Sequence, residues 1–161
     1  MISLTRRYHF PASHRLHTPL LSEAENSRLY GKCNNPFGHG HDYILELTVS
    51  GELDPATGLL VPLVRLDQFV ADKILRHFAY RNINLDVPQF ASLVPTTENV
   101  ALVIADLVKG AWRDSFGDLP IRASRVHIQE TDRNGFEILI PALKTDTLAA
   151  EERNESVIVH A

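Results

Sequence analysis

The chain has 161 residues and a mass of 18.1 kDa, with 44% hydrophobic and 22% charged residues, which fits one globular domain and excludes a disordered chain. A net charge of −4 and a sequence pI of about 6.0 leave no global field to draw in nucleic acid or an anionic membrane surface. The single cysteine excludes an internal disulfide framework and fits a reducing compartment.

The first residues, MISLTRRYHF, show no long apolar run ahead of a small-residue cleavage site, and no run of about 18 apolar residues follows anywhere. The expectation is a soluble cytoplasmic protein without a membrane or nucleic-acid partner. In the first segment Tyr8, Phe10, Ala12 and His14 fall on alternate positions, the period of a strand, while Arg7, His9 and Arg15 point away. From His17 to Asn35 no clean period survives, and a long loop of the kind that is often functional is expected. The next strand is the clearest: His39, His41, Tyr43, Leu45, Leu47 and Val49 share one face. Turn chemistry in Asp54-Pro55-Ala56-Thr57-Gly58 ends it.

Leu66, Phe69, Val70, Ile74, Leu75 and Phe78 recur at three- and four-residue steps and predict a helix over 63–78. A second helix begins near Thr96-Thr97-Glu98, with Thr97 as the expected N-cap, and buries Val100, Ile104, Leu107, Val108 and Ala111. Val126, Ile128 and Glu130 alternate on one strand, and Phe136, Ile138 and Ile140 on another after Asn134-Gly135. The order is strand, strand, helix, helix, strand, strand: an α+β domain spanning 1–144, followed by a polar, acidic tail at 145–161.

Residues i and i+2 of a strand project from the same face, so His39 and His41 can offer two imidazole nitrogens to one ion. A catalytic zinc typically takes three protein ligands and keeps one open position. His14, on the inner face of the first strand, is the natural third ligand. His17 is an alternative in the loop, and His9 faces the wrong way. On its own, a His-x-His pair in a strand is usually an ordinary core or surface feature, because two ligands do not close a site. Cys33, with Lys32 before it and Asn34 and Asn35 after it, reads two ways. With its pKa lowered by the cation and a metal it is a base or nucleophile; alternatively it is a fourth ligand in a closed structural site.

The stretch YGKCNNPFGHGHDY, preceded by FPASHRL and followed by LDVPQFASLVPTTENVA and IQETD, resembles the 6-pyruvoyl-tetrahydropterin synthase family up to about Ile140. The Cys-x5-His-x-His spacing is similar to the 6-pyruvoyl branch rather than to the related 6-carboxy-tetrahydropterin synthases, whose spacer is usually shorter. The resemblance implies a T-fold, an antiparallel sheet with two helices on one face, assembled as two stacked trimers. It implies Zn2+ held by His14, His39 and His41, and Cys33 as the proton-abstracting thiolate. It further implies Glu130 as the anchor of the pterin ring, with Thr96, Thr97 and Glu98 lining the pocket. The implied reaction converts 7,8-dihydroneopterin triphosphate into 6-pyruvoyl-tetrahydropterin by triphosphate elimination and side-chain proton shifts. Arg15, Arg28, Lys32 and Arg81 are candidates to meet the triphosphate.

One segment departs from the family pattern. Where members usually carry an Asp-His pair, in a stretch like Leu-Asp-His-Lys-Asn-Leu, this chain has Phe78-Ala79-Tyr80-Arg81-Asn82-Ile83. Ala79 has no ionisable group, and an unperturbed tyrosine titrates near 10 rather than about 6.5. Three readings follow: a synthase in which Tyr80 or His77 substitutes for the pair; a 6-carboxy-type or side-chain-cleaving lyase on the same substrate; or a non-catalytic, zinc-containing pterin-binding protein. His77 lies on the predicted helix, where the ordinary reading is a solvated side chain.

Overall fold

A computed structural model describes residues 1–142; the expected boundary at 144 and the tail at 145–161 lie outside the described residues. Two long strands, β1 (Ile2–His14) and β2 (His39–Gly51), pair antiparallel over their whole length, from Ile2 opposite Gly51 to His14 opposite His39. β4 (Ile121–Thr131) pairs with β2, and β5 (Asn134–Leu139) with β4, both antiparallel. A two-residue β3 (Arg81–Asn82) adds a short parallel pairing at the outer edge of β1, giving the order β3-β1-β2-β4-β5. The sheet is therefore antiparallel except at this edge, which strand periodicity cannot reveal in two residues.

Alternation assigns the faces. Phe10, Ala12 and His14 of β1, Tyr43, Leu45, Leu47 and Val49 of β2, and Val126 and Ile128 of β4 are buried on the helical side. Two helices cover that face. The first runs as α2 (Leu63–Val70), a π-helical turn Ala71–Leu75, and α3 (Arg76–Phe78), burying Leu66, Phe69, Val70, Ile74 and Phe78. After α4 (Ile83–Asp86), the long α5 (Thr97–Phe116) buries Val100, Ile104 and Val108 as expected, adding Ala101, Ala105 and Phe116, and packs on β4 and β5. Leu107 and Ala111 are only partly buried. The opposite sheet face is polar, with Thr5–Thr48 and Ser3–Ser50 hydroxyl pairs and an Arg7–Glu46–Arg125–Glu137 chain of ion pairs.

Two expectations are corrected. The expected loop from His17 to Asn35 contains α1 (Glu23–Tyr30) and a 3-10 turn, Gly31–Asn34. Its start is a capping box: Ser22 Oγ accepts the Glu25 N–H at 3.3 Å, while Glu25 Oε2 accepts the Ser22 N–H at 2.9 Å. The helix has almost no apolar stripe, which is why periodicity misses it; Asn26 is its buried residue. The N-cap of α5 is Thr96 rather than Thr97. Thr96 is extended and its hydroxyl accepts the Asn99 N–H at 3.3 Å, whereas Thr97 is the first helical residue and is buried. Adjacent threonines offer the same cap chemistry, and only backbone conformation separates them.

Candidate active site

The register of β1 and β2 builds the site. His14 lies opposite His39 and Ala12 opposite His41, so three imidazoles project from one face at one end of the sheet. Their ring centroids are 4.7 Å (His14–His39), 5.2 Å (His14–His41) and 4.6 Å (His39–His41) apart. Gly38 makes the approach possible: its φ is +70°, and a Cβ there would sit 2.9 Å from the His14 carbonyl oxygen.

The shortest contact of the buried His14 ring fixes its tautomer, with the Tyr43 hydroxyl a further 3.3 Å neighbour of the same nitrogen. Its Nδ1 lies 2.8 Å from the Pro95 carbonyl, which can only accept, so Nδ1 carries the proton and Nε2 presents a lone pair. That Nε2 lies 3.3 Å from His39 Nε2. Two nitrogens bound at 2.0–2.1 Å to one tetrahedral ion would be separated by about 3.3 Å. His41 Nε2 is buried and has no hydrogen-bond partner among the described residues. One ligand atom from each histidine lies within 4.8 Å of the others. Burial pushes both His14 and His39 below the ordinary imidazole pKa, keeping the rings neutral, although Glu130 pulls each upward. The donor set, the spacing and the unpartnered nitrogen fit a tetrahedral divalent metal.

Glu130 enters from β4. The β4–β5 register shifts between Gln129 and Thr131, so Glu130 sits in an irregularity that re-aims a side chain. Its carboxylate is 9% exposed, with Oε1 3.6 Å from His14 Nε2 and 3.8 Å from His41 Nε2. The Tyr43 hydroxyl donates to the same oxygen at 3.3 Å. Burial pushes the Tyr43 hydroxyl well above its usual range, so it remains a donor. Tyr43 was not among the residues the sequence singled out, although it continues the His39-His41 face by the same two-residue step.

Cys33 occupies the 3-10 turn, half-buried, its carbonyl accepting the Leu16 N–H at 2.8 Å. It is not part of the group of converging ligand atoms, which removes the four-ligand structural reading. Burial and the Glu130 charge push its thiol up, and Lys32 only partly offsets them, so the expected lowering by Lys32 is not realised by Lys32 alone. His17 is withdrawn as a ligand: it is not in the converging group, and its Nδ1 lies 3.1 Å from the amide Nδ2 of buried Asn34, which also donates to the Leu16 carbonyl at 2.7 Å.

The family model for 6-pyruvoyl tetrahydropterin synthase matches residues 3–139. The chain belongs to that family. It is 44% identical to the human 6-pyruvoyl tetrahydrobiopterin synthase over 132 residues, covering 81% of this chain and 86% of that protein. The solved structure of the Caenorhabditis elegans 6-pyruvoyl tetrahydropterin synthase superposes with a TM-score of 0.78 at 35% identity, over 87% of this chain and 96% of that one. A dihydroneopterin monophosphate aldolase from Pyrococcus furiosus is 29% identical over 100 residues, 62% of this chain and 76% of that protein. The fold is the T-fold, and family membership places the chain among the lyases of pterin chemistry.

For a 6-pyruvoyl tetrahydropterin synthase family member, the remaining candidates are unevenly placed. Thr96, Thr97 and Glu98 form the start of α5, immediately after the Pro95 carbonyl that orients His14. Arg15 is held by the Asn34 carbonyl at 3.2 Å, next to Cys33. Tyr80 and His77 do not join the cluster: neither hydrogen-bonds to Cys33, Glu130 or the three histidines among the described residues. His77 is exposed on α3. Tyr80 is 87% exposed with φ of +61°, its N–H donating to the Pro11 carbonyl at 2.7 Å. It borders an open depression of about 450 Å³ that spans β3, β1 and β2 and is lined also by Ser13, His41, Asp42 and Arg81. Among the described residues no helix is long and apolar enough to cross a membrane.

Proposed function

We propose that the protein is a zinc-dependent 6-pyruvoyl-tetrahydropterin synthase-like lyase acting on 7,8-dihydroneopterin triphosphate. The observation that carries this is the convergence of three imidazoles, with His41 Nε2 lacking a hydrogen-bond partner among the described residues and the Glu130 carboxylate beside it. Bound Zn2+ on His14, His39 and His41 would polarise the side-chain oxygens of the substrate and favour the thiolate of Cys33. Glu130 accepts two parallel hydrogen bonds from the guanidine-like edge of the pterin, which fixes ring orientation. Cys33 takes a proton from the pterin side chain on the face it borders, and the triphosphate leaves with its bridging oxygen. Thr96, Thr97 and Glu98 line the pocket, and Arg15, Arg28, Lys32 and Arg81 are the cations available to the triphosphate. The assembly is a hexamer of two trimers, in which the exposed Tyr80 is available to a neighbouring subunit as the second acid. His77 stands as a further candidate for that role.

A second reading is supported by Ala79 and Tyr80 and by the likeness to the Pyrococcus furiosus aldolase: a lyase that cleaves the side chain of the same substrate and needs fewer proton transfers. Incubating zinc-loaded protein with 7,8-dihydroneopterin triphosphate and identifying products decides between them. Released triphosphate with a 6-pyruvoyl product supports the first reading. A shortened side chain supports the second. Pterin binding without turnover overturns both.

A further inference from the structure

Asn99 ties down the chain ahead of α5 in a way that its helical position does not require. Its Nδ2 donates to the Val94 carbonyl at 2.8 Å, and its N–H goes to the Thr96 hydroxyl at 3.3 Å. The Thr96 N–H reaches the same Val94 carbonyl at 2.8 Å, closing a three-residue turn with Pro95 at its centre. Pro95 is buried, and among the described residues its carbonyl has one donor, the Nδ1–H of His14 at 2.8 Å. A buried carbonyl stripped of its donor is costly, so this contact and the place of the turn depend on each other.

The proton of a neutral His14 ring has two seats. On Nδ1 it serves Pro95; on Nε2 it would face His39 Nε2 at 3.3 Å and the Glu130 carboxylate at 3.6 Å. An Nε2 that ligates a metal carries no proton, so ligation commits the ring to the Pro95 contact. The protein gains and loses no proton between the two arrangements, because one hydrogen changes nitrogen within the ring.

We propose that Asn99 is a positioning residue that couples the three-histidine site to the pterin pocket through the Pro95 carbonyl. With His14 ligated, Pro95 is held, and Asn99 passes that constraint to Thr96, Thr97 and Glu98. With His14 free, the turn gives up its donor for part of the time and the pocket lining loses its fixed place. The ring then binds less tightly. Linkage makes the effect reciprocal: a seated ring strengthens metal binding by the same factor. This rests on the pocket-lining role of Thr96, Thr97 and Glu98 proposed above.

The test uses the full chain and pterin itself, the ring without a side chain, which brings no side-chain oxygen to the ion. Pterin binding to zinc-free and zinc-loaded protein is followed by fluorescence, and zinc affinity by chelator competition with and without pterin. Asn99→Ala removes the Nδ2 donor and keeps the backbone N–H of the Thr96 cap. Asn99→Asp removes the donor and keeps the shape, and circular dichroism checks both folds. The expected result is a rise in wild-type pterin affinity of about fivefold or more on loading zinc. Saturating pterin raises zinc affinity by the same factor, and both effects shrink toward unity in the two variants. Wild-type pterin affinity that ignores zinc overturns the coupling. Coupling that survives whole in Asn99→Ala and Asn99→Asp shows that ring and ion meet directly, and overturns the role of Asn99. Undiminished pterin binding in Glu98→Gln defeats the pocket assignment, and the inference with it. Weakened binding in Glu98→Gln beside a zinc-insensitive wild type overturns the coupling alone.

Discussion

The Pro95 carbonyl accepts the Nδ1 proton of His14 at 2.8 Å, tying the residue before the α5 cap to the end of β1. This contact decides the tautomer of a fully buried ring and aims Nε2 at His39, 3.3 Å away. The start of α5 and the three-histidine end of the sheet are thereby fixed to each other. Because the cluster is preset by strand register, removing one ligand should empty it without unfolding the sheet. His39→Ala should lower zinc affinity by about tenfold or more, with far-ultraviolet circular dichroism unchanged. Metal analysis after dialysis against a weak chelator checks this, and full zinc occupancy in the variant would refute the ligand assignment.

The protonation of the same rings sets a pH limit on the metal-free protein. Burial lowers His14 and His39 below the value of about 6.5 that an unfolded chain gives them. The unfolded state therefore binds more protons than the folded one once pH falls below about 6.5, and stability declines in that direction. The contribution is fully present above the unfolded value and is lost as pH drops toward the folded values. Chemical denaturation of zinc-free protein between pH 7.5 and pH 5 should show the decline, and His14→Gln should flatten it. A wild-type curve no steeper than that of His14→Gln would contradict the assignment.

Cys33 allows the proposed chemistry to be tested apart from metal binding. Because it lies outside the converging ligand atoms, Cys33→Ala should leave zinc content unchanged. Turnover should fall by about 10²–10⁴, the range for loss of a positioned acid or base. Loss of zinc together with activity would instead return Cys33 to the coordination sphere.

Much of this site is written in short-range pattern, and the remainder is not, for identifiable reasons. His39 and His41 share a face because strand side chains repeat every two residues, and His14 joins them because β1 and β2 pair without a slip from one end to the other. The buried face of α5 is legible from its three- and four-residue steps. The α1 helix is not, because it buries an asparagine rather than an apolar stripe; the Ser22-x-x-Glu25 box was the available signal. The choice between His14 and His17 rests on which imidazole converges with His39 and His41, and that is set by the pairing of β1 with β2. The Pro95 contact spans 81 positions, and no periodicity encodes it.

Asn26 shows what that polar packing contributes. It is fully buried, its Nδ2 lies within 3.1 Å of the Thr18, Leu21 and Ser22 carbonyls, and its Oδ1 accepts the Thr18 N–H at 2.9 Å. Asn26→Ala strands these backbone groups away from water and should cost about 2 kcal/mol or more. Urea denaturation measures it directly. A change within about 0.5 kcal/mol, ordinary for exposed positions, would show that water replaces the amide.

Tyr80 supplies the last test, because its side chain can be changed with little effect on the core. It is 87% exposed, and its main cost to the fold is the left-handed φ of +61°. A β-carbon in that region costs about 1 kcal/mol or more, so Tyr80→Gly should stabilise the fold slightly. If the hydroxyl acts as the second acid, Tyr80→Phe should lower turnover by about 10²-fold while zinc content and thermal stability stay level. The double change Ala79→Asp with Tyr80→His introduces the Asp-His pair that the family resemblance leads one to expect and should raise turnover above the wild-type rate. Tyr80→Phe with undiminished turnover, and no gain from the double change, would remove this edge of the sheet from the chemistry.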